Sequence, residues 1–213
     1  MLNIKPIQIL KIGLLITVTH LLFASSCRKE GTKPCINSDY EFSVTSEFSP
    51  QKEIYYVGDT IYLTSTFPKI LLNSITNQQV AYSNSVGIGG TINFLLLDTI
   101  TLNFIDSYSK FQAVQQVGTF AQILTVPEKG VSSLFFETSS YDFKIGIICK
   151  KKGIFALGVN NLYSNGLNGQ NCTNAEFNMT VTNTNKHLNL FYYALNYYPD
   201  ALLEKSIYCF RVH

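Results

Sequence analysis

Alternation of apolar and polar residues is the main pattern in the chain after about residue 40, and it predicts β-strands. In residues 40–48, apart from Ser46, and in residues 141–149, apolar side chains occupy every second position, which would place them on one face of a sheet. Shorter runs rich in β-branched and aromatic residues predict further strands at residues 61–64, 80–83, 91–97, 119–126, 134–138, 154–159 and 207–212. Many short strands separated by turn residues are typical of an antiparallel β-sandwich.

Turn-forming residues separate these strands. The Pro-Glu-Lys-Gly segment at residues 127–130 fits a type I turn. The Lys-Lys-Lys-Gly segment at residues 150–153 predicts a hairpin that joins residues 141–149 to residues 154–159. The Asn- and Gly-rich residues 160–174 predict a loop, because both residue types tolerate positive φ.

The Gly-Ile-Gly-Gly segment at residues 87–90 contains the first two glycines of a dinucleotide-binding fingerprint. Ile92 occupies the position of the third glycine, and a strand rather than a helix is predicted to follow. Since no helix N-terminus is predicted there to hold phosphate groups, the segment predicts a flexible hairpin turn and no nucleotide partner.

The period of the pattern changes near the C-terminus, where a helix is predicted within residues 184–204. Thr184 or Asn185 would cap this helix, and Pro199 would end its periodic run. The apolar positions that recur at helical spacing are Leu188, Phe191, Tyr192 and Leu195. A last strand follows at residues 207–212, so a helix and a strand are expected to pack on the sandwich.

These elements predict one mainly β domain at residues 39–213, an Ig-like antiparallel β-sandwich with a small C-terminal helix-plus-strand element. The pattern Tyr-x-Val-Gly-Asp-Thr-Ile-x-Leu at residues 55–63 resembles the opening of immunoglobulin-like modules in exported bacterial proteins. The resemblance implies a sandwich and no particular activity.

The N-terminal residues 1–26 have the pattern of a secretory signal peptide. Lys5 and Lys11 precede a mainly apolar run at residues 12–23, which is about a dozen residues long. A helix that spans a bilayer needs about 20. We therefore expect export and removal of this segment rather than a transmembrane anchor.

The residues Ala24-Ser25-Ser26-Cys27 that end this segment resemble the lipobox of type II signal peptides, with Ala24 where leucine is usual. The resemblance implies that Cys27 becomes the first mature residue and carries diacylglycerol and an N-acyl chain. Two or three acyl chains hold a protein on a membrane stably, where one does not. Residues 27–38 would then be a lipidated tether. The alternative is ordinary cleavage after Ser26, which leaves Cys27 as a plain thiol.

A broader resemblance concerns location. The relaxed lipobox, the Arg-Lys-Glu segment at residues 28–30, the Val-Gly-Asp-Thr segment at residues 57–60 and the Thr-Asn-Thr-Asn-Lys-His-Leu segment at residues 182–188 resemble uncharacterised lipoproteins of Bacteroidota. This implies an exported protein that is lipid-anchored to the outer membrane, on its periplasmic face or at the cell surface. It implies no assigned activity.

Charge and cysteine content limit the partners of the mature chain. Two of the 16 basic residues lie in the signal peptide and none of the 14 acidic ones does, so the remaining chain is electrically balanced. It has no basic footprint for nucleic acid. An even number of cysteines in an exported chain suggests disulfides, and we predict a Cys35–Cys172 pair because both lie outside strands. Cys149 and Cys209 lie within strands, as buried thiols or as a second bridge.

A tyrosine cluster is the candidate binding surface. Tyr193, Tyr197 and Tyr198, together with Tyr192, lie close together in the sequence near the predicted helix. Exposed tyrosines would form a stacking platform for a glycan. Packing in the core is the alternative, since Tyr192 falls on the apolar helix face.

No metal or cofactor is predicted apart from the lipid on Cys27. His187 and His213 are the histidines outside the signal peptide, and neither has partners at metal-ligand spacing. His187 is interpreted as a polar residue at the N-terminus of the helix. Residues 160–174 lack the carboxylates that calcium needs. The lysines at residues 150–152 would contact anionic lipid or polysaccharide, or form a solvated turn.

No catalytic residue is predicted, because Asp98, Asp106, Glu137 and Asp142 are scattered singly outside any motif. The sequence therefore predicts a non-catalytic binding or structural module of the cell envelope, with the membrane and a glycan or envelope protein as partners. The alternative is a glycan-active hydrolase whose carboxylates converge only in the fold. A third possibility is a subunit of a larger complex, which an exposed apolar patch would indicate.

Overall fold

β-strands dominate the computed structural model, which describes residues 40–101, 103–123, 130–190, 192 and 201–213. All of these residues belong to the unit Cys35–His213. In chain order the strands are β1 (Tyr40–Ser49), β2 (Ile54–Tyr55), β3 (Thr60–Pro68), β4 (Ile70–Asn73), β5 (Gln78–Ala81), β6 (Gly89–Asp98), β7 (Asn103–Asp106), β8 (Phe111–Val117), β9 (Thr119–Ile123), β10 (Gly130–Leu134), β11 (Phe136–Glu137), β12 (Ser140–Cys149), β13 (Gly153–Val159), β14 (Leu162–Ser164), β15 (Ala175–Val181) and β16 (Ile207–Val212). A 3₁₀ turn at Tyr108–Lys110 precedes β8, and helix α1 (Ala201–Ser206) leads directly into β16.

The strands form the two layers of a β-sandwich, and β1 belongs to both. Residues 40–46 of β1 pair in parallel with β15, in what we call the larger sheet, which also contains β2, β6, β7, β9, β10, β13, β14 and β16. Residues 47–49 pair antiparallel with β3, in the smaller sheet, which also contains β8, β11 and β12. Because one strand passes from one layer to the other, it fixes the position of the two sheets.

The core lies between the sheets and is built from the alternating positions of the strands. In β1, Phe42, Val44 and Phe48 are buried, while Ser43 and Thr45 are exposed. Aromatic rings from both sheets meet there, with ring centroids 5.2 Å apart for Phe42 and Phe177 and 5.6 Å apart for Phe67 and Phe177. Each fully buried Phe, Leu or Ile contributes about 1.5–3 kcal/mol, so this alternation drives the folding of the sandwich.

The predicted hairpin between residues 141–149 and 154–159 is wrong, although both strands exist. β12 pairs with β3 and β8, and β13 pairs with β6 and β16. The lysine turn therefore connects the two sheets. The physical reason is burial: every residue from Phe155 to Val159 is buried, so β13 needs cover on both of its faces and lies inside the larger sheet.

Several strands escaped prediction. Residues 160–174, predicted as a loop, contain β14, and β8 and β15 were assigned no strand at all. In β15, Ala175, Phe177, Met179 and Val181 are buried and alternate with polar residues. The segment predicted at 134–138 is two strands, β10 and β11, with buried Phe135 between them. Residues 124–129, which include most of the predicted type I turn, lie outside the described residues.

The glycine segment at residues 87–90 is only partly a turn. Gly87 has φ 72°, in the left-handed region, whereas Gly89 and Gly90 already belong to β6. A Cβ on Gly90 would lie 2.8 Å from the carbonyl oxygen of Asn161. Glycine is therefore required there for a close approach of two backbones, which is a packing role rather than flexibility.

The start of the predicted C-terminal helix differs in the structure, and residues 191 and 193–200 of that helix lie outside the described residues. Residues 182–188 are not helical, and helical structure occurs at residues 189–190, 192 and 201–206. Asn185 does not cap a helix: its side-chain oxygen accepts the backbone N–H of His187 at 2.9 Å, and His187 has φ 50°. The strand predicted at residues 207–212 is confirmed as β16. Within the residues placed by the structure, no helix has the length and apolar character that crossing a membrane requires.

Candidate binding surface on the larger sheet

A split in the larger sheet creates a groove on its outer face. β13 and β14 follow one another along the chain and are separated only by Asn160 and Asn161. β13 pairs with β16, whereas β14 pairs with β15, so β15 and β16 diverge from each other. The gap is an open groove of about 700 Å³. We call it the sheet-split groove, and its polar lining residues are Ser43, Asn160, Asn161, Tyr163, Asn178, Thr180, Lys205 and Ser206.

The amide of Asn161 organises the groove. Its Nδ2 donates to Oε1 of Glu176 and to Oδ1 of Asn178, both at 2.9 Å. Its Oδ1 accepts the backbone N–H of Met179 at 3.2 Å. The side chain thus supplies to β15 the hydrogen bond that a neighbouring strand would give, and this fixes its orientation in the groove.

The network continues across the outer face of the sheet. Nδ2 of Asn178 donates to Oε1 of Glu41 at 2.6 Å. Glu41 and Glu176 lie opposite each other on the parallel pair β1 and β15. Each carboxylate therefore accepts a hydrogen bond from a neutral amide.

Tyr163 is the exposed aromatic residue of this surface. Its side chain points outward from β14 between buried Leu162 and Ser164, and it is 57% exposed. Its hydroxyl donates to Oε1 of Glu176 at 3.5 Å. Burial, and next the charge of Glu176, raise the pKa of the Tyr163 phenol, so it stays a protonated donor at neutral pH.

A second groove of about 480 Å³ lies on the other side of Tyr163. Its lining includes Thr91, Thr119 and Ser132 from β6, β9 and β10. Tyr163 lines both grooves. The outer face therefore presents hydroxyl and amide groups on both sides of one tyrosine ring.

An apolar cluster covers the other part of the outer face. Ala156, Leu190, Ile207 and Cys209 are buried together, with Leu95, Phe104, Ile154 and Leu188 packed against them. Ile207 and Cys209 of β16 and Leu190 thus belong to this apolar cluster, while Lys205 and Ser206 line the sheet-split groove.

The tyrosines predicted as a stacking surface are not placed by the structure. Tyr193, Tyr197 and Tyr198 lie outside the described residues, so that hypothesis stays a prediction. Tyr192 is half-buried and its hydroxyl donates to the carboxylate of Glu204. Sequence reasoning missed Tyr163, although the Leu-Tyr-Ser alternation in the Asn-rich segment was a usable signal for an outward-facing tyrosine.

The carboxylates singled out in the sequence do not form a pair. Asp98 accepts the backbone N–H of Ile100 within its own turn, and Asp106 is exposed on β7. Asp142 accepts from the hydroxyl of Ser140 at 2.7 Å, and this bond lowers the pKa of its carboxyl.

Glu137 anchors a loop. It accepts the backbone N–H of Asn84 at 2.7 Å and lies 3.0 Å from Nζ of Lys69. Burial acts to raise the pKa of its carboxyl, but these donors outweigh burial and lower it. Since Glu137 faces the side of its sheet that Tyr141 occupies and Asp142 faces the other, no catalytic pair arises from them.

His187, interpreted from the sequence as a polar residue at the N-terminus of the helix, is buried. Its side chain is 8% exposed, and its Nδ1 lies 3.6 Å from Oε2 of Glu53. Burial lowers the pKa of His187, and the charge of Glu53 partly opposes this. Among the residues that the structure describes, no three His, Cys, Asp or Glu side chains are grouped so as to hold a metal ion.

The cysteines fall into two kinds. Cys149 and Cys209 are free and buried, which excludes a second bridge between them. Burial raises the pKa of each thiol to about 12. Cys172 is disulfide-bonded, and its partner is not among the described residues. Cys27 and Cys35 lie outside those residues, so lipidation of Cys27 and the Cys35–Cys172 pairing remain predictions.

Comparisons with known proteins identify no family for this chain. No protein-family model and no curated protein matches the sequence. Among solved structures, a type II cohesin dyad from the adaptor ScaA scaffoldin of Acetivibrio cellulolyticus is similar at 9% identity and a TM-score of 0.35, over 67% of this chain and 47% of the dyad. A type II cohesin A11 from Bacteroides cellulosolvens is similar at 15% identity and a TM-score of 0.27, over 63% of this chain and 86% of that one. This chain thus spans about half the length of the dyad, and we rest no conclusion on these similarities.

Proposed function

We propose that the protein is a lipid-anchored, non-catalytic binding module of the bacterial cell envelope, which holds a glycan in the sheet-split groove. The observation that carries the proposal is the pre-ordered amide network of Asn161 and Asn178 beside exposed Tyr163. Binding sites combine apolar surface with a few polar groups fixed in position. A tyrosine ring offers an apolar face and a polar hydroxyl, as a sugar ring requires of its partner.

The chemistry of the lining supports a neutral, polyhydroxylated ligand. Amides and hydroxyls provide most of the polar groups, and Lys205 is the charged residue among those that line the groove. The Glu41 and Glu176 carboxylates are already used as acceptors for amides. A strongly charged ligand would find little to neutralise it, whereas a sugar both donates and accepts hydrogen bonds.

The location of the module rests on its N-terminal sequence. The signal-peptide pattern and the small residues before Cys27 support export and acylation. Acyl chains on Cys27 would keep the domain at the outer membrane without any spanning segment. Mass spectrometry of the N-terminal peptide from native cells tests this: we expect a diacylglycerol thioether on Cys27, and an unmodified cysteine would contradict it.

Binding is tested with the soluble fragment from Arg28 onward on an array of bacterial and plant glycans. We expect at least one glycan to bind the wild-type fragment, and Tyr163→Ala to weaken that binding at least tenfold. Tyr56→Ala is the matched control, because Tyr56 is 64% exposed but lies beside β2, away from the groove. Absence of glycan binding, or equal losses in the two variants, would contradict the proposal.

A hydrolase remains the second candidate, and one observation favours it. Glu41 and Glu176 stand opposite each other on paired strands of the outer face, and adjacent strands are about 4.8 Å apart. Retaining glycosidases place two carboxyl groups about 5–5.5 Å apart. Incubation of the wild-type fragment with the glycan that it binds distinguishes the two candidates. A binding module should produce no new reducing ends. New reducing ends that disappear in the Glu176→Gln variant would establish the hydrolase.

A further inference from the structure

The β4–β5 hairpin exposes an apolar surface that the core does not use. Ile70 and Leu72 project from the outer face of β4 and are 59% and 57% exposed, while Leu71 and Asn73 are buried beneath them. Ile75, in the turn, is 60% exposed. We call these three side chains the hairpin patch. Single exposed apolar residues are ordinary, but three within six residues of one hairpin indicate a contact.

The hairpin carries no charge. Its residues 70–81 read Ile-Leu-Leu-Asn-Ser-Ile-Thr-Asn-Gln-Gln-Val-Ala, without a single acidic or basic side chain. The adjacent Lys69 is paired with Glu137 at 3.0 Å. Removal of a charge from water is the largest cost of entering an apolar phase, and this hairpin would not incur it at the membrane interface.

The hairpin patch lies at the end of the sandwich where the N-terminal segment joins the domain. The backbone N–H of Ser74 donates to the carbonyl oxygen of Glu41 at 2.8 Å. The backbone N–H of Glu41 donates to Oδ1 of Asn73 at 3.3 Å. Glu41 is the second residue of β1, so the hairpin is attached directly beside the start of the described chain.

The lysine turn at residues 150–152 lies at the other end of the sandwich. β3 runs from Thr60 to Pro68, just before the hairpin, and its nine residues span about 30 Å. Val57 and Gly58 precede β3, and the N–H of Gly58 donates to the carbonyl oxygen of Cys149 at 2.8 Å. The lysines at residues 150–152 follow Cys149 and are therefore distal to the chain's entry point.

The chain between Cys27 and Tyr40 is short. The twelve residues between them make thirteen Cα–Cα steps, which reach at most about 45 Å when fully extended; a flexible coil of that length averages about 20 Å. A lipid on Cys27 therefore keeps the entry end of the domain, and the hairpin beside it, close to the bilayer.

We propose that the hairpin patch inserts its three side chains into the membrane interface and so orients the domain, with the lysine turn pointing away from the membrane. This inference rests on the lipid anchor of the proposed function. A protein partner or second copy fits less well, because a stable interface needs about 800 Å² per partner, far more than three side chains expose. A bilayer needs only an uncharged apolar surface held next to it.

The absence of tryptophan from the chain gives a direct test. A Leu72→Trp variant of the mature protein, purified with its lipid, is reconstituted into phosphatidylethanolamine–phosphatidylglycerol vesicles. Val57→Trp is the matched control, since Val57 is 49% exposed at the distal end. We expect the emission of Leu72→Trp to shift to shorter wavelength and to be quenched by brominated lipid, with neither effect at Val57→Trp.

Emission of Leu72→Trp that brominated lipid leaves unchanged would overturn the proposal, and so would equal quenching of both variants. A shift that grows with protein concentration in the lipid-free fragment from Arg28 onward carrying Leu72→Trp would also overturn it, in favour of a second copy. Ile75→Trp repeats the measurement at a turn position if Leu72→Trp is unstable. Vesicle flotation of the wild-type protein tests the anchor separately. If it does not float, a hexahistidine tag that replaces residues 1–27, on nickel-chelating lipid, supplies the anchor for the same emission test.

Discussion

The side-chain oxygen of Asn161 accepts the backbone N–H of Met179 at 3.2 Å, so an amide occupies the place beside β15 that a strand would otherwise fill. Met179 is buried, and its N–H needs a partner. The same amide orients Glu176 and Asn178. One residue therefore maintains both the integrity of the split sheet and the shape of the groove.

Replacement of Asn161 by Leu should lower the free energy of unfolding by about 1–3 kcal/mol, because a partly buried backbone donor loses its acceptor. It should also abolish glycan binding. Urea denaturation and glycan titration measure the two effects. Asn103→Ala is the control, since Asn103 is exposed on β7 and is expected to change stability by less than about 0.5 kcal/mol. Full stability and binding in Asn161→Leu would contradict the role assigned to the amide.

A second asparagine secures the point where β1 passes to the smaller sheet. Oδ1 of buried Asn183 accepts the N–H of Phe48 at 2.8 Å, and its Nδ2 donates to the carbonyl oxygen of Phe48 at 2.7 Å. Asn183→Leu leaves a donor and an acceptor unpaired, and we expect a loss of roughly 2–4 kcal/mol. Thr184→Ala, at the exposed neighbour, should cost less than about 0.5 kcal/mol. Equal urea midpoints for the two variants would refute this assignment.

Stability should depend on the protonation of His187. Burial lowers the pKa of His187 below its ordinary value of 6.5, so the unfolded chain binds a proton more readily than the folded one. Neutral His187 therefore makes its full contribution to the free energy of unfolding above pH 6.5. This contribution is lost as the pH falls from 6.5 through the lowered pKa of the folded state, by at most about 1.4 kcal/mol per pH unit. Urea denaturation should therefore give a lower free energy of unfolding at pH 5.5 than at pH 7.

The His187→Asn variant should show a smaller loss of stability between these pH values. Asparagine suits the positive φ of 50° at this position, so the variant is expected to fold. In Glu53→Gln the loss should begin at the same pH and extend to lower pH, since Glu53 raises the pKa of His187. An identical pH dependence in wild type and His187→Asn would show that another group is responsible.

Thiol reactivity distinguishes the cysteines. Because burial raises the thiol pKa of Cys149 and Cys209 to about 12, we expect no labelling of the folded fragment from Arg28 onward at pH 8. In guanidinium chloride without reductant, we expect two labelled thiols, those of Cys149 and Cys209. With reductant, we expect four, because Cys35 and Cys172 are then also free. Peptide mapping without reduction should join Cys35 to Cys172. Four labelled thiols without reductant would contradict the predicted pair.

The sequence predicted the face that each strand buries better than it predicted the neighbours of each strand. Tyr141, Phe143, Ile145, Ile147 and Cys149 alternate, and β12 was found almost to the residue. The predicted hairpin between β12 and β13 was wrong because the period of apolar residues indicates which face of a strand is buried. It does not indicate which strands pair, since pairing depends on contacts between residues distant in sequence. β15 was missed because Glu176, Asn178 and Thr180 on its outer face make it resemble a polar loop.

The candidate site was harder to predict for the same reason. Ser43, Asn161 and Asn178 come from three distant segments and meet only where the larger sheet splits. Composition drew attention to the tyrosines at residues 192–198, because they are adjacent in sequence. Tyr163 has no tyrosine near it in the chain, and its exposure depends on the strands around it.

The central claim is that the sheet-split groove binds a glycan, and hydrogen–deuterium exchange tests it most directly. The soluble fragment from Arg28 onward is measured with and without the glycans released from its native envelope. We predict slower exchange on binding at residues 159–163 and 178–180, with no change at residues 150–153. Unchanged exchange at the groove, or protection confined to other surfaces, would contradict the claim.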